Sequence, residues 1–360
     1  MTPAESTIEL AGQPVVLTYS GVIAEYEALR RRAIVVNRSH RGRMHFTGDK
    51  AADVLTGLVT NDVGALQHGQ GQYAVALTAK GKVIADLRIL RLEDGYLTDA
   101  SPRSRDAWAA VVRKYVNPRL SRYVDQTDTL GALGVYGTQA RYVVEEMTGV
   151  GHSALALLMP YGHVTVERQG TRIVVMRSPD LVTEGYDLFV AADHWQQVWD
   201  TAVKAHATPG GLAVWEIARV EAGRPEWGID MNDSTIPQEA NLEQLDAISF
   251  TKGCYTGQEV VARVHFRGHV NRALRGLRAS GTVAPPTHAA LFDSTGKAVG
   301  DVRSSVVSPQ LGGIALGMVR LEVEPGARLM ARWSADVAGD SPTGEMTVDV
   351  AALPFATTPG

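Results

Sequence analysis

Extended segments in this chain come in adjacent pairs joined at glycine turns, and helices fall between the pairs without regular alternation. No other sequence feature narrows the fold as much. A doubly wound parallel sheet needs strand and helix to alternate, because each parallel connection crosses over through a helix. Here Gln72–Thr78 and Val83–Leu90 flank Lys80-Gly81 as a hairpin, and strands near 163–168 and 171–176 follow as a second close pair. The pattern predicts an α+β fold.

The helices are read from apolar spacing. Val22, Tyr26, Leu29 and Ala33 define the first, followed by a strand at Arg43–Thr47. Asp49 is placed to cap a helix with the stripe Ala51, Val54, Leu55, Leu58 and Val59. Along Val83–Leu90, alternation puts Val83, Ala85, Leu87 and Ile89 on one face and Ile84, Asp86, Arg88 and Leu90 on the other. Ser101-Pro102 offers a cap and a first-turn proline for a helix buried through Trp108, Val111, Val112, Tyr115 and Val116. A strand at Leu130–Tyr136, a helix at Thr138–Met147 and a strand at Tyr186–Val190 follow, and Asp193 is placed to cap a helix carrying Trp195, Val198, Trp199 and Val203. Thr208-Pro209 is read as opening a helix that Gly223 closes. Arg224 to Phe250 is long and irregular, yet its Trp227, Met231, Ile236 and Leu242 point to a segment that wraps the core and lines a site. These elements make up a body over residues 1–280. A linker spans 281–287, and the short, evenly spaced strands of 288–355 read as a small β-barrel, with 335–345 as a hairpin loop.

Composition excludes several classes. The chain has 360 residues, 45% hydrophobic and 21% charged, with a formal net charge of −4. A nucleic-acid binder is usually basic, so direct nucleic-acid contact is not expected. No apolar run approaches the roughly 20 residues of a membrane span. Met1–Glu5 lacks the basic start of a signal peptide, which makes a cytoplasmic location the expectation. The single cysteine, Cys254, leaves no internal disulfide and no self-contained Cys-rich metal site.

That cysteine lies in Lys252-Gly253-Cys254-Tyr255-Thr256-Gly257-Gln258-Glu259-Val260-Val261-Ala262-Arg263. Thr256 and Glu259 have the spacing of a capping box, which would start a helix at Gly257. Cys254 would then sit by the positive end of the helix and near Lys252, both of which favour a thiolate. The plain alternative is an inert buried cysteine. Arg263, His265, Arg267, His269 and Arg272 alternate beyond it and read as one face of a strand, either an ordinary solvated edge or a cationic lining.

The stretch resembles the signature of the YgfZ family, folate-binding proteins that support iron–sulfur enzymes. The likeness extends to Arg38-Ser39-His40, Leu58-Val59-Thr60-Asn61-Asp62-Val63, Gly81–Asp86, Gly211-Leu212 with Arg219–Gly223, and Ser308-Pro309 with Ala315–Gly317. These phrases are similar to those of the aminomethyltransferase (glycine-cleavage T-protein) superfamily. The resemblance implies a cloverleaf of two intertwined α+β subdomains plus a C-terminal barrel, around a channel for tetrahydrofolate. T-proteins carry Asp-Asp where this chain has Ala85-Asp86, and they lack the cysteine.

On that resemblance Asp86 would accept hydrogen bonds from the pterin, and Glu184 lies near a folate-binding acid of the family. Tyr73, Trp227 and Tyr255 could stack on a flat ring or simply fill core, and Arg263 could meet the glutamyl carboxylates. Lys252 and Cys254 would do the chemistry. Three functions follow as expectations. One is a folate-binding accessory protein for iron–sulfur cluster assembly or repair, meeting client or assembly proteins and acting on tRNA modification only indirectly. Another is a tetrahydrofolate-dependent aminomethyl or methyl transferase. The third is a cysteine nucleophile with His265 or His269 as base.

Overall fold

The computed structural model describes residues 6–334 and 343–355. Two antiparallel-rich sheets form the body, and the chain passes repeatedly between them. The first has the order Gly71–Leu77, Val83–Leu92, Gly95–Ala100, Gly42–Thr47, Arg122–Asp125. The second runs His163–Arg168, Thr171–Arg177, Gly185–Ala191, Leu130–Tyr136, Ile34–Asn37, Thr208–Gly210. Ile34–Asn37 and Gly42–Thr47 are neighbours in sequence but belong to different sheets, so the two subdomains are intertwined.

Three apolar layers hold this arrangement. Helices Ala51–Leu58 and Arg105–Tyr115 cover the outer face of the first sheet through Leu55, Trp108 and Val112. Helices Ala140–Thr148 and Trp195–Lys204 cover the outer face of the second through Val144, Met147 and Trp199. The inner faces meet through Val75, Leu90 and Leu97 on one side and Ala132, Met176 and Phe189 on the other. Met231, Leu242 and Ala247 of the long irregular segment complete that inner layer, so the segment wraps the core as its apolar content suggests.

The C-terminal strands close a barrel in the order Arg272–Ala279, Gly312–Arg320, Ala298–Ser308, Ala290–Phe292, Arg328–Trp333, Gly344–Ala351. Arg272–Ala279 pairs with two of these strands, so the barrel begins inside the stretch assigned to the body, ahead of the 281–287 linker. Of the expected 335–345 loop, residues 335–342 lie outside the described residues, while Gly344 and Glu345 open a barrel strand.

Other expectations shift for local reasons. Residues 208–210 pair in parallel with Ile34–Val36 as an edge strand, where proline's missing N–H costs little, and the helix starts only at Leu212. Ser101-Pro102 lies in a turn, and that helix begins at Arg105 with Ser104 at its N-cap. Lys50 and His194, in place of Asp49 and Asp193, occupy their N-caps, without side-chain caps. A bulge in the hairpin pairs Leu77 with Val83 but Ala76 with Ala85, which turns Val83 to the inner face and Ile84 to the outer. No helix among the described residues is long and apolar enough to cross a membrane.

Strands Ser6–Leu10 and Gln13–Thr18 pair antiparallel as an N-terminal hairpin, and one buried acid ties it to the body. Glu25 is fully buried, and its carboxylate accepts from Thr18 Oγ1 at 2.7 Å, from the backbone N–H of Tyr19 at 2.5 Å and Ser20 at 2.9 Å, and from Gly211 N at 2.8 Å. Glu25→Ala strands these donors, each costing roughly 1–3 kcal/mol when buried without a partner. Denaturant unfolding should register a loss of about 3 kcal/mol or more. A loss under about 1 kcal/mol would contradict this role.

Candidate functional site

Between the sheets the inner faces turn from apolar to charged. Asp86 and Arg88 alternate with Ala85 and Leu87 on their strand, so both reach inward while the apolar pair packs outward. Arg88 is 2% exposed and donates to Asp99 through Nε at 2.7 Å and to Asp180 through Nη1 at 3.2 Å, and it also bonds Asp187. Asp99 belongs to the first sheet and Asp187 to the second, so one guanidinium joins the subdomains. Arg41 donates to Asp99 at 2.6 Å, and Arg43 stands 3.5 Å from the same carboxylate. These three arginines hold the Asp99 carboxyl far below its usual range despite its burial. Tyr136 donates to Asp187, and Arg224 pairs with Asp180 at 3.2 Å and bonds the Tyr161 hydroxyl.

Asp86 is different. No arginine pairs with it directly: its neighbours are Tyr73 OH at 3.2 Å and Ser104 Oγ at 3.4 Å. Burial, then the nearby Glu226, push its pKa up to about 6, against the pull of Arg41 and Tyr73. It is a carboxyl that can exchange its proton near neutrality, which is what general acid–base work requires. Tyr73 stacks on Tyr161 with ring centroids 6.2 Å apart, and the Arg224 guanidinium lies 4.7 Å above the Tyr73 ring. A cavity of about 20 Å³ is lined here by Tyr73, Asp86, Arg88, Asp180, Arg224 and Glu226, together with Arg41 and Trp215. Through Arg41, Trp215 and Glu226 it adjoins a chamber of about 150 Å³. On the chamber wall the Arg38 guanidinium lies 3.8 Å over the Trp215 ring. Stacking of that kind is worth up to about 2 kcal/mol when desolvated, less than the several kcal/mol that burying a charge costs.

Cys254 stands elsewhere, exposed on the loop before the helix Gln258–Arg267. It is therefore not a buried core residue. The loop is fixed from both ends. Lys252 Nζ donates to the carbonyls of Val59 at 2.6 Å and Asn61 at 3.0 Å, and to that of Thr56, at the end of the Ala51–Leu58 helix. Burial pulls the Lys252 pKa down to about 8. Gly257, at φ 82°, is the N-cap, and a Cβ there would meet Thr78 O at 2.4 Å. The helix consequently has no capping box: close approach to the 78–81 turn demands glycine, and Gln258 Oε1 accepts from Tyr255 N at 3.0 Å instead.

The expected binding residues divide. Tyr73 and Asp86 line the cavity. Glu184 lies outside it, accepting from Arg141 Nε at 2.8 Å and Tyr186 OH at 2.7 Å beside the outer core. Trp227 and Tyr255 pack against the inner apolar layer, with Trp227 Nε1 on Val83 O at 3.4 Å and Lys252 Nζ 4.7 Å over the Tyr255 ring. Arg263 is exposed on a helix, not a strand. Val261 and Val264 at helical spacing override the polar alternation, and Gly268 ends the helix. His265 stacks on Phe250 at 3.7 Å and meets Glu243 at 2.7 Å, so this ring is tied to the body through the helix. Missed from sequence were Arg41, Arg88, Asp180, Trp215, Arg224 and Glu226. Charges inside otherwise apolar strands, and Arg224-Pro225-Glu226 at the head of the irregular segment, were the available signals. Among the described residues no cluster of His, Cys, Asp and Glu is placed to hold a metal.

The profile of the GCVT N-terminal domain family matches residues 8–251. The aminomethyltransferase of Saccharopolyspora erythraea is 29% identical over 96% of this chain and 93% of its own length. That of Rubrobacter xylanophilus is 27% identical over 90% of this chain and 86% of its own. The crystal structure of the glycine cleavage system aminomethyltransferase T from Bartonella henselae superposes with a TM-score of 0.86 over 98% of this chain and 94% of that one, at 22% identity.

The titration of Asp86 has a definite sign. Its folded carboxyl titrates near 6 and the ordinary one at 3.8, so the folded chain holds this proton more tightly. The resulting stability is complete below about pH 4 and is lost as pH rises through 6. Asp86→Asn, neutral at every pH, should gain on the wild type by about 3 kcal/mol between pH 4 and pH 7.5 in denaturant unfolding. An unchanged difference across that range would contradict the assignment.

Proposed function

The chain belongs to the family of the GCVT N-terminal domain, within the glycine-cleavage T-protein superfamily, and from that premise we propose that it binds a reduced folate beside Asp86 and supports iron–sulfur enzymes through Cys254, as the YgfZ branch does. The observation that carries the reading is the separation of two functional groups. A carboxyl able to hold or release a proton near neutrality is enclosed between the sheets, and the only cysteine stands exposed on an anchored surface loop.

The residues around Asp86 suit a pteridine. An ionised carboxylate accepts only, which matches the amino and ring N–H edge of that ring system. Tyr73 and Tyr161 offer aromatic faces, and Arg224 offers donors to a carbonyl. The 20 Å³ beside Asp86 is too small for the ring, so Arg224 has to swing off Tyr73 as the ligand enters from the adjoining chamber. When bound, the folate supplies one-carbon chemistry or a structural anchor; the protein's share is to orient it and to control one proton at Asp86.

Cys254 is free to meet a partner protein. A single thiol can bridge transiently to a cluster or persulfide on a client but cannot hold a cluster alone. Any effect on tRNA would then run through cluster-dependent modifying enzymes, without direct nucleic-acid contact.

A folate-dependent aminomethyl or methyl transferase is the second reading, and one observation favours it. Ala85 packs in the outer core, so an acid at that position would face away from the cavity, and its replacement removes no carboxylate from the site.

Calorimetry should find tetrahydrofolate binding at micromolar strength. Asp86→Ala should weaken it by about 1.5–3 kcal/mol, the cost of losing a charge-assisted bond. Unchanged affinity would remove Asp86 from the site. Cys254→Ser should fold normally and bind folate normally yet fail to restore cluster-dependent enzyme activity in a deletion strain. Full restoration by Cys254→Ser, with rapid one-carbon transfer by the purified wild type, would decide for the transferase.

A further inference from the structure

Arg41, Arg43, Arg88, Arg219 and Arg224 are buried, and each has a carboxylate within ion-pair distance. Arg38 is as deeply buried, at 2% exposure, and no ion pair among the described residues includes it. Its Nε has no acceptor, and its guanidinium rests on the Trp215 ring at 3.8 Å. Buried charges are normally paired, because an uncompensated cation in a low-dielectric interior is costly.

Arg38 lines the 150 Å³ chamber together with His40 and Trp215. His40 Nδ1 and Trp215 Nε1 are likewise buried without partners. An indole N–H can only donate, and an imidazole donates from one nitrogen in its neutral form. Three buried nitrogens without partners therefore belong to side chains that line one chamber. No acid among the described residues lies within ion-pair distance of Arg38: Glu216 pairs with Arg219 at 2.7 Å and Glu226 with Arg103 at 3.7 Å, and Asp180, whose carboxyl feels the Arg38 charge from further off, is paired with Arg88 and Arg224 at 3.2 Å each. Ile8, Leu10 and Leu17 of the N-terminal hairpin close the far side with apolar surface.

We propose that this chamber is a carboxylate-binding site anchored by Arg38, with Trp215 and His40 as supporting donors. A planar guanidinium is the side chain best suited to a carboxylate. The space is that of about five water molecules at roughly 30 Å³ each, enough for a carboxylate with a short organic group. The carboxylate has two possible sources, a free small organic acid or the glutamyl tail of a bound folate. The site does not depend on the folate reading, since the lack of an ion-pair partner for Arg38 among the described residues is a property of the chain alone.

Thermal unfolding of the full chain in sodium acetate and sodium glycolate, against sodium chloride at matched ionic strength, tests it. A ligand that binds only the folded state raises the melting temperature by mass action. The carboxylates should raise it beyond chloride in the wild type. In Arg38→Met, which keeps the length of the side chain and removes the charge, apparent carboxylate affinity should fall at least tenfold. Trp215→Phe keeps a ring under Arg38 but lacks the N–H, and it should weaken the response several-fold; it decides the matter if Arg38→Met does not fold. Repeating the acetate titration with saturating tetrahydrofolate separates the sources. A persisting shift identifies a free small carboxylate, and an abolished one identifies the folate tail. A wild type that responds to carboxylates no more than to chloride, or an equal response in Arg38→Met, overturns the proposal.

Discussion

The guanidinium of Arg88 and its three carboxylates are the contact on which the rest depends. Asp99 reaches it from its own sheet, Asp187 from the facing sheet, and Asp180 from the turn before that strand. The two sheets exchange strands along the chain, so neither subdomain can seat alone. Burying this many charges is expensive, and removing one partner from such a set is commonly worse than never having built it, by about 3–5 kcal/mol. The set therefore fixes one register between the sheets more than it adds stability.

That register also creates the site. Once Arg41, Arg43 and Arg88 are committed to Asp99, and Arg224 to Asp180, Asp86 is left with hydroxyl neighbours in a dry interior. Desolvation then dominates its titration. Arg38 is the complementary case, a cation outside these ion pairs that lines the adjoining chamber. The interior thus holds one carboxyl that resists ionisation and one guanidinium with no ion-pair partner among the described residues, lining neighbouring cavities that share Arg41, Trp215 and Glu226. Structural ion pairs surround the site, and the unpaired groups are the ones free to meet a ligand.

The sequence made the α+β class, the hairpins and the closed barrel legible, because two-residue alternation and glycine turns are local signals. It also put Asp86 and Arg88 on one strand face and Ala85 and Leu87 on the other. What it could not reveal were partners brought together by tertiary packing: Asp180 and Asp187 lie some hundred residues from Arg88. The same limit explains Lys252, read as a companion of the thiol. Its ammonium also bonds carbonyls at the end of the Ala51–Leu58 helix, nearly two hundred residues away in sequence. Glu184 illustrates the cost of one strand residue: period-two geometry sends it to the outer core, and Asp187 takes the inward place. The Thr256 capping box failed because Gly257 must pass close to the 78–81 turn, a long-range constraint on a local motif.

A structure of the chain crystallised with tetrahydrofolate tests the central claim most directly. The account predicts the pteridine between the sheets, its N–H edge on the Asp86 carboxyl and Arg224 displaced from the face of Tyr73. Folate bound elsewhere on the surface, or a pteridine between the sheets with Asp86 still bonded only to Tyr73 and Ser104, would contradict it.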